Sequence, residues 1–140
     1  NPSAEMISRL VEEVLRISSP SSNMFRRANE TVEMHGVTIP KDAILFARFA
    51  SANQDEKQFP EPEKFDLMRD NLKDQVAFGK GVHHCLGAAL SRREMNIGFK
   101  VILERLENFR LAEGASSPTF AANALLHGLS GLDLAFDKVS

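Results

Sequence analysis

The only cysteine of the chain, Cys85, lies near the end of a glycine-containing stretch, Phe78-Gly79-Lys80-Gly81-Val82-His83-His84-Cys85-Leu86-Gly87. A long segment with apolar residues at helical spacing begins immediately after it. The glycines predict a tight turn that leads into the first turn of this helix. Unpaired N–H groups and the helix dipole favour the thiolate form of a thiol at such a place. A thiolate can be a nucleophile, a redox sensor or a metal ligand.

Several alternatives for this loop fit the sequence poorly. A zinc site would need a C-x-x-C pair or clustered histidines, but His35 and His127 are isolated. The dinucleotide motif fails because His84 occupies its third glycine position, and the phosphate loop fails because no Ser or Thr follows Lys80. A cysteine hydrolase needs a histidine partner, and His83 is poorly placed if the backbone is extended. An inert, buried cysteine remains a possible alternative for Cys85.

A single sulfur ligand suits a cofactor that supplies its other metal ligands itself, as haem does. The loop resembles F-G-x-G-x-H-x-C-x-G, the haem-binding loop of the cytochrome P-450 family, soluble bacterial type. The resemblance implies haem b as the cofactor, with Cys85 as the catalytic residue and iron ligand. It also implies cofactor contacts from Phe78, Gly79, Gly81, His83 and Gly87.

A second family motif lies in the first predicted helix, Pro2 to Ile17, for which Asn1 is the predicted cap. Glu13 and Arg16 form an E-x-x-R motif whose ends are neighbours one turn apart. Alone, this pattern indicates a solvated surface pair. The resemblance implies instead an ion pair buried beneath the haem loop, with Arg69 as its third member.

A third motif, Arg26-Arg27-Ala28, lies in a region of short apolar groups from Met24 to Phe49 that predicts strands and a hairpin near His35-Gly36. The resemblance implies a small sheet along the haem pocket, where Arg26 and His83 meet the propionates. A surface charge on a strand edge is the alternative for Arg26. Possible substrate contacts implied by the resemblance are Ser22, Asn23, Met24, Leu125 and Leu126.

The remaining segments complete an α+β, mainly helical fold that resembles the C-terminal part of the family's fold. Ala47 to Asn53 predicts a short helix. Gln54 to Asn71 resembles the family's packed meander, and we expect its phenylalanines, Phe59 and Phe65, to be buried. Leu86 to Leu106 predicts a long helix, and Phe109 to Phe136 predicts C-terminal strands. The long helix resembles the family's helix behind the haem, which implies that Cys85 lies in its first turn. The apolar residues of the long helix lie on or near one face: Leu86, Leu90, Ile97, Val101 and Leu106.

The composition limits the kinds of partner and the compartment that we expect for this chain. A net charge of −2 gives no reason to expect nucleic acid, and no run of eighteen apolar residues predicts a membrane span. One cysteine excludes an internal disulfide and suits a reducing compartment, so we expect a soluble, cytoplasmic protein. A ferredoxin or flavoprotein reductase could donate electrons at the cysteine-side surface. A basic patch there and scattered solvated charges are both possible for Lys73, Lys80, Arg92 and Arg93.

The sequence contains no A-G-x-D/E-T-like run, the acid–threonine pair with which the family delivers protons. We therefore expect residues 1–140 to be the haem-binding portion of a longer or otherwise completed protein, inactive alone. The intact enzyme would be a monooxygenase that hydroxylates a small apolar molecule. The alternatives are a stand-alone or degenerate haem-binding module without oxygenase activity, and a haem-free remnant with a buried Cys85.

Overall fold

The first helix, α1 (Ala4–Ser18), forms where the apolar periodicity predicts it. The structure, a computed structural model, describes residues 2–139. Ser3 caps the helix, because its side-chain oxygen accepts a hydrogen bond of 3.2 Å from the Met6 backbone N–H. The helix therefore begins two residues later than predicted. The predicted cap, Asn1, lies outside the described residues.

The short strands after α1 form two separate antiparallel pairs. Strand β1 (Asn23–Arg27) pairs with β4 (Ile44–Arg48), and β2 (Val32–Met34) pairs with β3 (Val37–Ile39). The hairpin between β2 and β3 turns at His35-Gly36, as predicted. Both residues have positive φ angles, 48° and 78°, which is the backbone geometry that tight hairpin turns require.

An irregular stretch follows the short helix α2 (Phe49–Ala52). It is packed through Phe59, which is 1% exposed, whereas Phe65 remains half exposed at 51%. The prediction that the phenylalanines of this meander are buried is therefore right for Phe59 and wrong for Phe65. A single 3₁₀ turn, Leu72–Asp74, leads from the meander towards the cysteine loop.

The long helix α3 (Ala88–Arg105) continues directly into strand β5 (Leu106–Leu111). Strand β5 pairs antiparallel with β6 (Leu134–Lys138), and the register shifts between Glu107 and Arg110. The predicted C-terminal strands are therefore present. However, Leu106 belongs to a strand rather than to the preceding helix.

Helices α1 and α3 pack around a core of Val11, Leu15 and Ala77, against which Met95 and Phe99 of α3 lie. The apolar residues that predicted the long helix stay largely outside this contact: Leu86 is fully exposed, and Leu90 and Ile97 are more than half exposed. One side of α3 is thus partly buried against α1, whereas Leu90 and Ile97 of the same helix are exposed. Within residues 2–139, no helix has the length and apolar character needed to cross a membrane.

Candidate functional site

The cysteine loop is held by backbone hydrogen bonds around two glycines. Gly79 and Gly81 have φ angles of 70° and 74°, in the left-handed region that glycine adopts without a steric penalty. The Cys85 N–H donates to the Phe78 carbonyl at 2.9 Å, and the His84 N–H donates to the Gly81 carbonyl at 3.0 Å. The Cys85 side chain is exposed, so the interpretation as an inert buried cysteine is wrong for this chain.

Cys85 precedes the helix rather than lying in its first turn, which corrects the prediction. A separate 3₁₀ turn, Gly81–His83, comes first, and His84 then adopts an extended backbone with φ −51° and ψ 137°. This extended residue interrupts the helical path, so α3 begins only at Ala88, with Gly87 as its N-cap. The position of Cys85 is therefore set by the loop rather than by the helix.

The loop borders a cleft of about 620 Å³, within the size range of small-molecule and cofactor sites. Apolar side chains from five parts of the chain contribute to its walls, among them Leu15, Phe49 and Met95. Of the residues predicted from the sequence, the cleft brings together Met24, Arg26, Phe78, Gly79, His83 and Cys85. Arg26 belongs to β1 and is therefore brought to the loop by the fold rather than by sequence proximity.

The other predicted residues do not line this cleft. Gly81 shapes the loop through its positive φ angle. Gly87 lies beside the thiol, since a Cβ atom at this position would be 3.8 Å from Cys85 Sγ. The four remaining residues, predicted to contact substrate, lie together outside the cleft: Ser22, Asn23, Leu125 and Leu126.

These four residues join two segments that are distant in sequence. The Ser22 N–H donates to the Leu125 carbonyl at 2.9 Å, and the Asn23 side-chain amide donates to the Ala124 carbonyl at 3.0 Å. The turn itself is closed by Asn123, whose Oδ1 accepts from the backbone N–H groups of the next two leucines. Of the predicted substrate contacts, only Met24 therefore faces the cleft in this arrangement.

Glu13 and Arg16 form a buried ion pair beneath this site. Arg16 Nε lies 2.7 Å from Glu13 Oε2, and both side chains are inaccessible to solvent. Arg69 Nε approaches Glu13 Oε1 at 3.2 Å. Arg69 also donates to the backbone carbonyls of Pro60, Glu61 and Lys64, and so holds the irregular segment in place. The pair is not the solvated surface pair that the motif alone would indicate.

Electrostatics keeps Glu13 ionised in this network. Burial by itself raises the pKa of Glu13, because it disfavours the charged carboxylate. Hydrogen bonds and charge from Arg16, together with hydrogen bonds from the Asp66 backbone N–H and Arg69, outweigh burial and leave the pKa lowered. Within residues 2–139, no buried side-chain nitrogen or oxygen lacks a hydrogen-bond partner.

Comparison with known proteins agrees with this arrangement. A family profile described as Cytochrome P450 matches residues 3–129. The chain belongs to the cytochrome P450 family. It is 38% identical over 136 residues to cytochrome P450 CYP107DY1 of Priestia megaterium, covering 97% of this chain and 32% of that protein. It is 34% identical to 6-deoxyerythronolide B hydroxylase of Saccharopolyspora erythraea, covering 98% of this chain and 33% of that protein.

Solved structures give the same result. Cytochrome P450 CYP150A6 of Mycobacterium marinum, in its substrate-free form, matches with a TM-score of 0.90 and 29% identity, covering 96% of this chain and 35% of that one. The chain thus spans about a third of the length of the relatives it matches. The predicted fold class, the C-terminal part of the cytochrome P450 fold, is confirmed.

Haem is the cofactor that a cytochrome P450 fold implies, and the donor set of the cleft fits it. One exposed thiol faces the cleft. No group of three or more His, Cys, Asp or Glu side chains in the described part of the chain could hold a bare metal ion. A macrocycle supplies the other ligands itself, and its carboxylates need cationic or hydrogen-bonding groups such as Arg26 and His83. The P450 cleft therefore suits haem better than a bare metal ion.

Asn53 links the buried ion pair to the segment that enters the P450 loop, and no motif in the sequence indicates this role. Asn53 is fully buried, and its carbonyl accepts from Arg16 Nη1 at 2.9 Å. Its side chain donates to Ser19 Oγ and accepts from the Val76 backbone N–H, both at 2.8 Å. The only sequence signal is an asparagine at the end of a short helix, which does not reveal three distant partners.

Proposed function

We propose that Cys85 would bind the iron of haem b through its thiolate, and that residues 1–140 are the haem-binding portion of a cytochrome P450 monooxygenase. The observation that carries this proposal is the exposed Cys85 thiol in a cleft that also includes Arg26 and His83. Haem bound through a thiolate supplies the electron density that favours O–O cleavage. The substrate we propose is a small apolar molecule, which the complete enzyme hydroxylates.

The loop residues have distinct proposed roles around the thiolate. Phe78 shields the sulfur from water, and the Cys85 N–H, which donates to the Phe78 carbonyl, fixes the two residues relative to each other. Gly79 lines the cleft without a side chain, and a Cβ there would contact Phe49 at 3.6 Å. Gly81 permits the turn, and Gly87 leaves room beside the sulfur for the macrocycle.

Arg26 and His83 are the proposed propionate-binding residues. Both line the cleft, and both side chains can donate hydrogen bonds to a carboxylate. A guanidinium suits this role because its planar fork of donors matches the geometry of carboxylate oxygens. The buried network of Glu13, Arg16 and Arg69 supports the site from below and has a structural role.

We propose that the substrate reaches the haem past Met24, the predicted substrate contact that lines the cleft. Ser22, Asn23, Leu125 and Leu126 lie outside the cleft and would then support its wall, through the Ser22–Leu125 and Asn23–Ala124 hydrogen bonds. Two relatives support the hydroxylation chemistry by their names, 6-deoxyerythronolide B hydroxylase and the steroid C26-monooxygenase of Mycobacterium tuberculosis.

The open apolar surface supports an arrangement in which these residues are one part of a complete P450 fold. Leu86, Leu90 and Ile97 are 102%, 61% and 53% exposed, which is unusual for large apolar side chains grouped on one side of a molecule. We propose that the remainder of the P450 fold covers them. That remainder would also deliver the protons that O–O cleavage consumes.

The electron donor, a ferredoxin or a flavoprotein reductase, is proposed to dock on the cysteine side of the molecule. Lys73, Lys80 and Arg93 are exposed and could attract an acidic partner. A reducing, cytoplasmic location is proposed with it, since the single cysteine must stay free to bind iron.

The test of monooxygenase function is turnover by the complete protein with a redox chain added. We expect NAD(P)H consumption that is coupled to formation of an oxygenated product from an apolar substrate. Haem binding without coupled product, for any substrate of an apolar panel, would favour the stand-alone haem-binding module. Absence of haem from the purified complete protein would contradict both.

A further inference from the structure

Glu12 and Arg92 form an ion pair beside the cysteine loop. Arg92 Nε lies 2.6 Å from Glu12 Oε1, and Arg92 Nη2 lies 3.2 Å from Glu12 Oε2. The pair joins α1 to α3, with side chains that are 15% and 33% exposed for Glu12 and Arg92, respectively. A two-point contact of this kind fixes the plane of the guanidinium as well as its position.

The guanidinium held in this way lies over the ring of Phe78. The distance from Arg92 Cζ to the ring centroid is 4.7 Å, within the range of a cation–π contact. Phe78 is the first residue of the loop, and its carbonyl accepts the hydrogen bond from the Cys85 N–H. Arg92 is therefore connected to Cys85 through a single intervening residue.

The same carboxylate also holds the segment that enters the loop. Glu12 Oε2 accepts a hydrogen bond of 2.9 Å from Gln75 Nε2, and Gln75 Oε1 accepts one of 2.7 Å from the Ala77 N–H. One side chain of α1 thus contacts both the chain before the loop, through Gln75, and the helix after it, through Arg92.

We propose that Glu12 and Arg92 are positioning residues that fix Phe78, and through it the Cys85 backbone, in the geometry needed for ligation. This inference rests on the proposed role of Cys85. It assigns Arg92 a function different from a docking charge for an electron donor, because its guanidinium is already engaged by Glu12 and Phe78. Arg93, the neighbouring exposed arginine, remains available for docking.

Hydrogen exchange of the Cys85 amide in the complete, haem-loaded protein tests the proposal. Arg92→Met should speed this exchange at least tenfold, because the Phe78 carbonyl that accepts the bond loses its support. The control Arg93→Met should leave it within twofold. Glu12→Gln should give a smaller increase in the same direction. Exchange of the Val11 amide, in the core of α1, reports global opening and should change much less than that of Cys85.

Two further variants separate positioning from charge. Arg92→Lys keeps the charge but loses the planar fork, so it should resemble Arg92→Met in Cys85 exchange. In a Phe78→Leu background, Arg92→Met should add no further increase.

The proposal is overturned if Arg92→Met leaves Cys85 exchange unchanged, if Val11 exchange rises equally, or if lysine restores slow exchange. It is also overturned if the effects of Arg92→Met and Phe78→Leu on the exchange free energy simply add. Hydrogen exchange of the Cys85 amide does not measure iron ligation. A failure of the Cys85 ligand assignment is detected separately, by the spectrum of the Cys85→Ser variant.

Discussion

Arg16 Nε lies 2.7 Å from Glu13 Oε2, and neither side chain is accessible to solvent. The adjacent carboxylate, Glu12, contacts a different arginine, Arg92, on another helix. Two consecutive glutamates of α1 therefore hold two different parts of the molecule. Glu13 holds the irregular segment before the loop, through Arg69, and Glu12 holds the loop and the helix that follows it.

Neutralising Glu13 should strongly destabilise the protein. Glu13→Gln leaves the buried Arg16 guanidinium without a counter-charge, so we expect the free energy of unfolding to fall by about 3–5 kcal/mol. The control is Glu104→Gln, which breaks the exposed Lys100–Glu104 pair, 3.9 Å apart, and should cost less than about 1 kcal/mol. Urea denaturation measures both. Similar losses for the two variants would contradict the proposed importance of burial.

The same carboxylate should make stability depend on pH in the acid range. Burial raises the pKa of Glu13, but Arg16, the Asp66 N–H and Arg69 outweigh it, so the folded-state pKa lies below its ordinary value of 4.5. The contribution of Glu13 to stability is therefore fully present above pH 4.5 and is lost as the pH falls through the lowered folded-state pKa. Between these two values, we expect a slope of about 1.4 kcal/mol per pH unit from this group.

Glu13→Gln provides the control for this pH dependence. The variant cannot titrate at this position, so its stability should decrease less steeply below pH 4.5 than that of the parent protein. Parallel stability curves for the two proteins, measured by denaturation across the acid range, would show that Glu13 titrates normally in the folded state.

Replacing Arg26 should weaken haem binding. Arg26→Ala removes a cationic donor from the cleft, and loss of a charge-assisted hydrogen bond is expected to reduce haem affinity about ten- to a hundredfold. Arg27→Ala is the matched control, because Arg27 is 68% exposed and lies 3.7 Å from Asp42 instead. Transfer of haem to a competing apoprotein measures the difference. Equal rates of transfer from the two variants would argue for Arg26 as a surface charge.

Replacing Asn53 should loosen the connection between the ion pair and the loop. Asn53→Leu leaves the Val76 N–H without its acceptor and Ser19 Oγ without its donor. Ser19 Oγ keeps its bond to the Leu15 carbonyl, but the partly buried Val76 N–H loses its partner. An unpaired donor of this kind costs about 1–3 kcal/mol, which should appear in thermal unfolding. The control Asn29→Leu changes an exposed asparagine and should have little effect. An Asn53 variant as stable as this control would indicate that water replaces the lost partners.

Local patterns in the sequence predicted the first helix, the cysteine loop and the hairpin correctly. The spacing of Val11 and Leu15 indicated α1, and Gly79 and Gly81 indicated a tight turn, in which both glycines have positive φ angles. The hairpin at His35-Gly36 also follows from local residue preferences. In each case, neighbours within a few residues determine the conformation, so the pattern alone was sufficient.

Contacts between distant segments could not be read in this way. Arg92 looked like a surface charge, but its partner Glu12 is 80 residues away in sequence. Asn53 carried no recognisable signal, because its role depends on three separate segments that meet in the folded protein. Phe65 was expected to be buried by its apolar character, but its burial depends on which surfaces the rest of the fold covers.

The spectrum of the reduced, carbon monoxide-bound complete protein tests the central claim most directly. We predict a main band shifted far to the red for the parent protein, because Cys85 binds iron as a thiolate. Cys85→Ser should lose this band, and Cys85→His should lose it even if haem is retained. A Cys85→Ser variant that keeps the red-shifted band would contradict the assignment of Cys85 as the iron ligand.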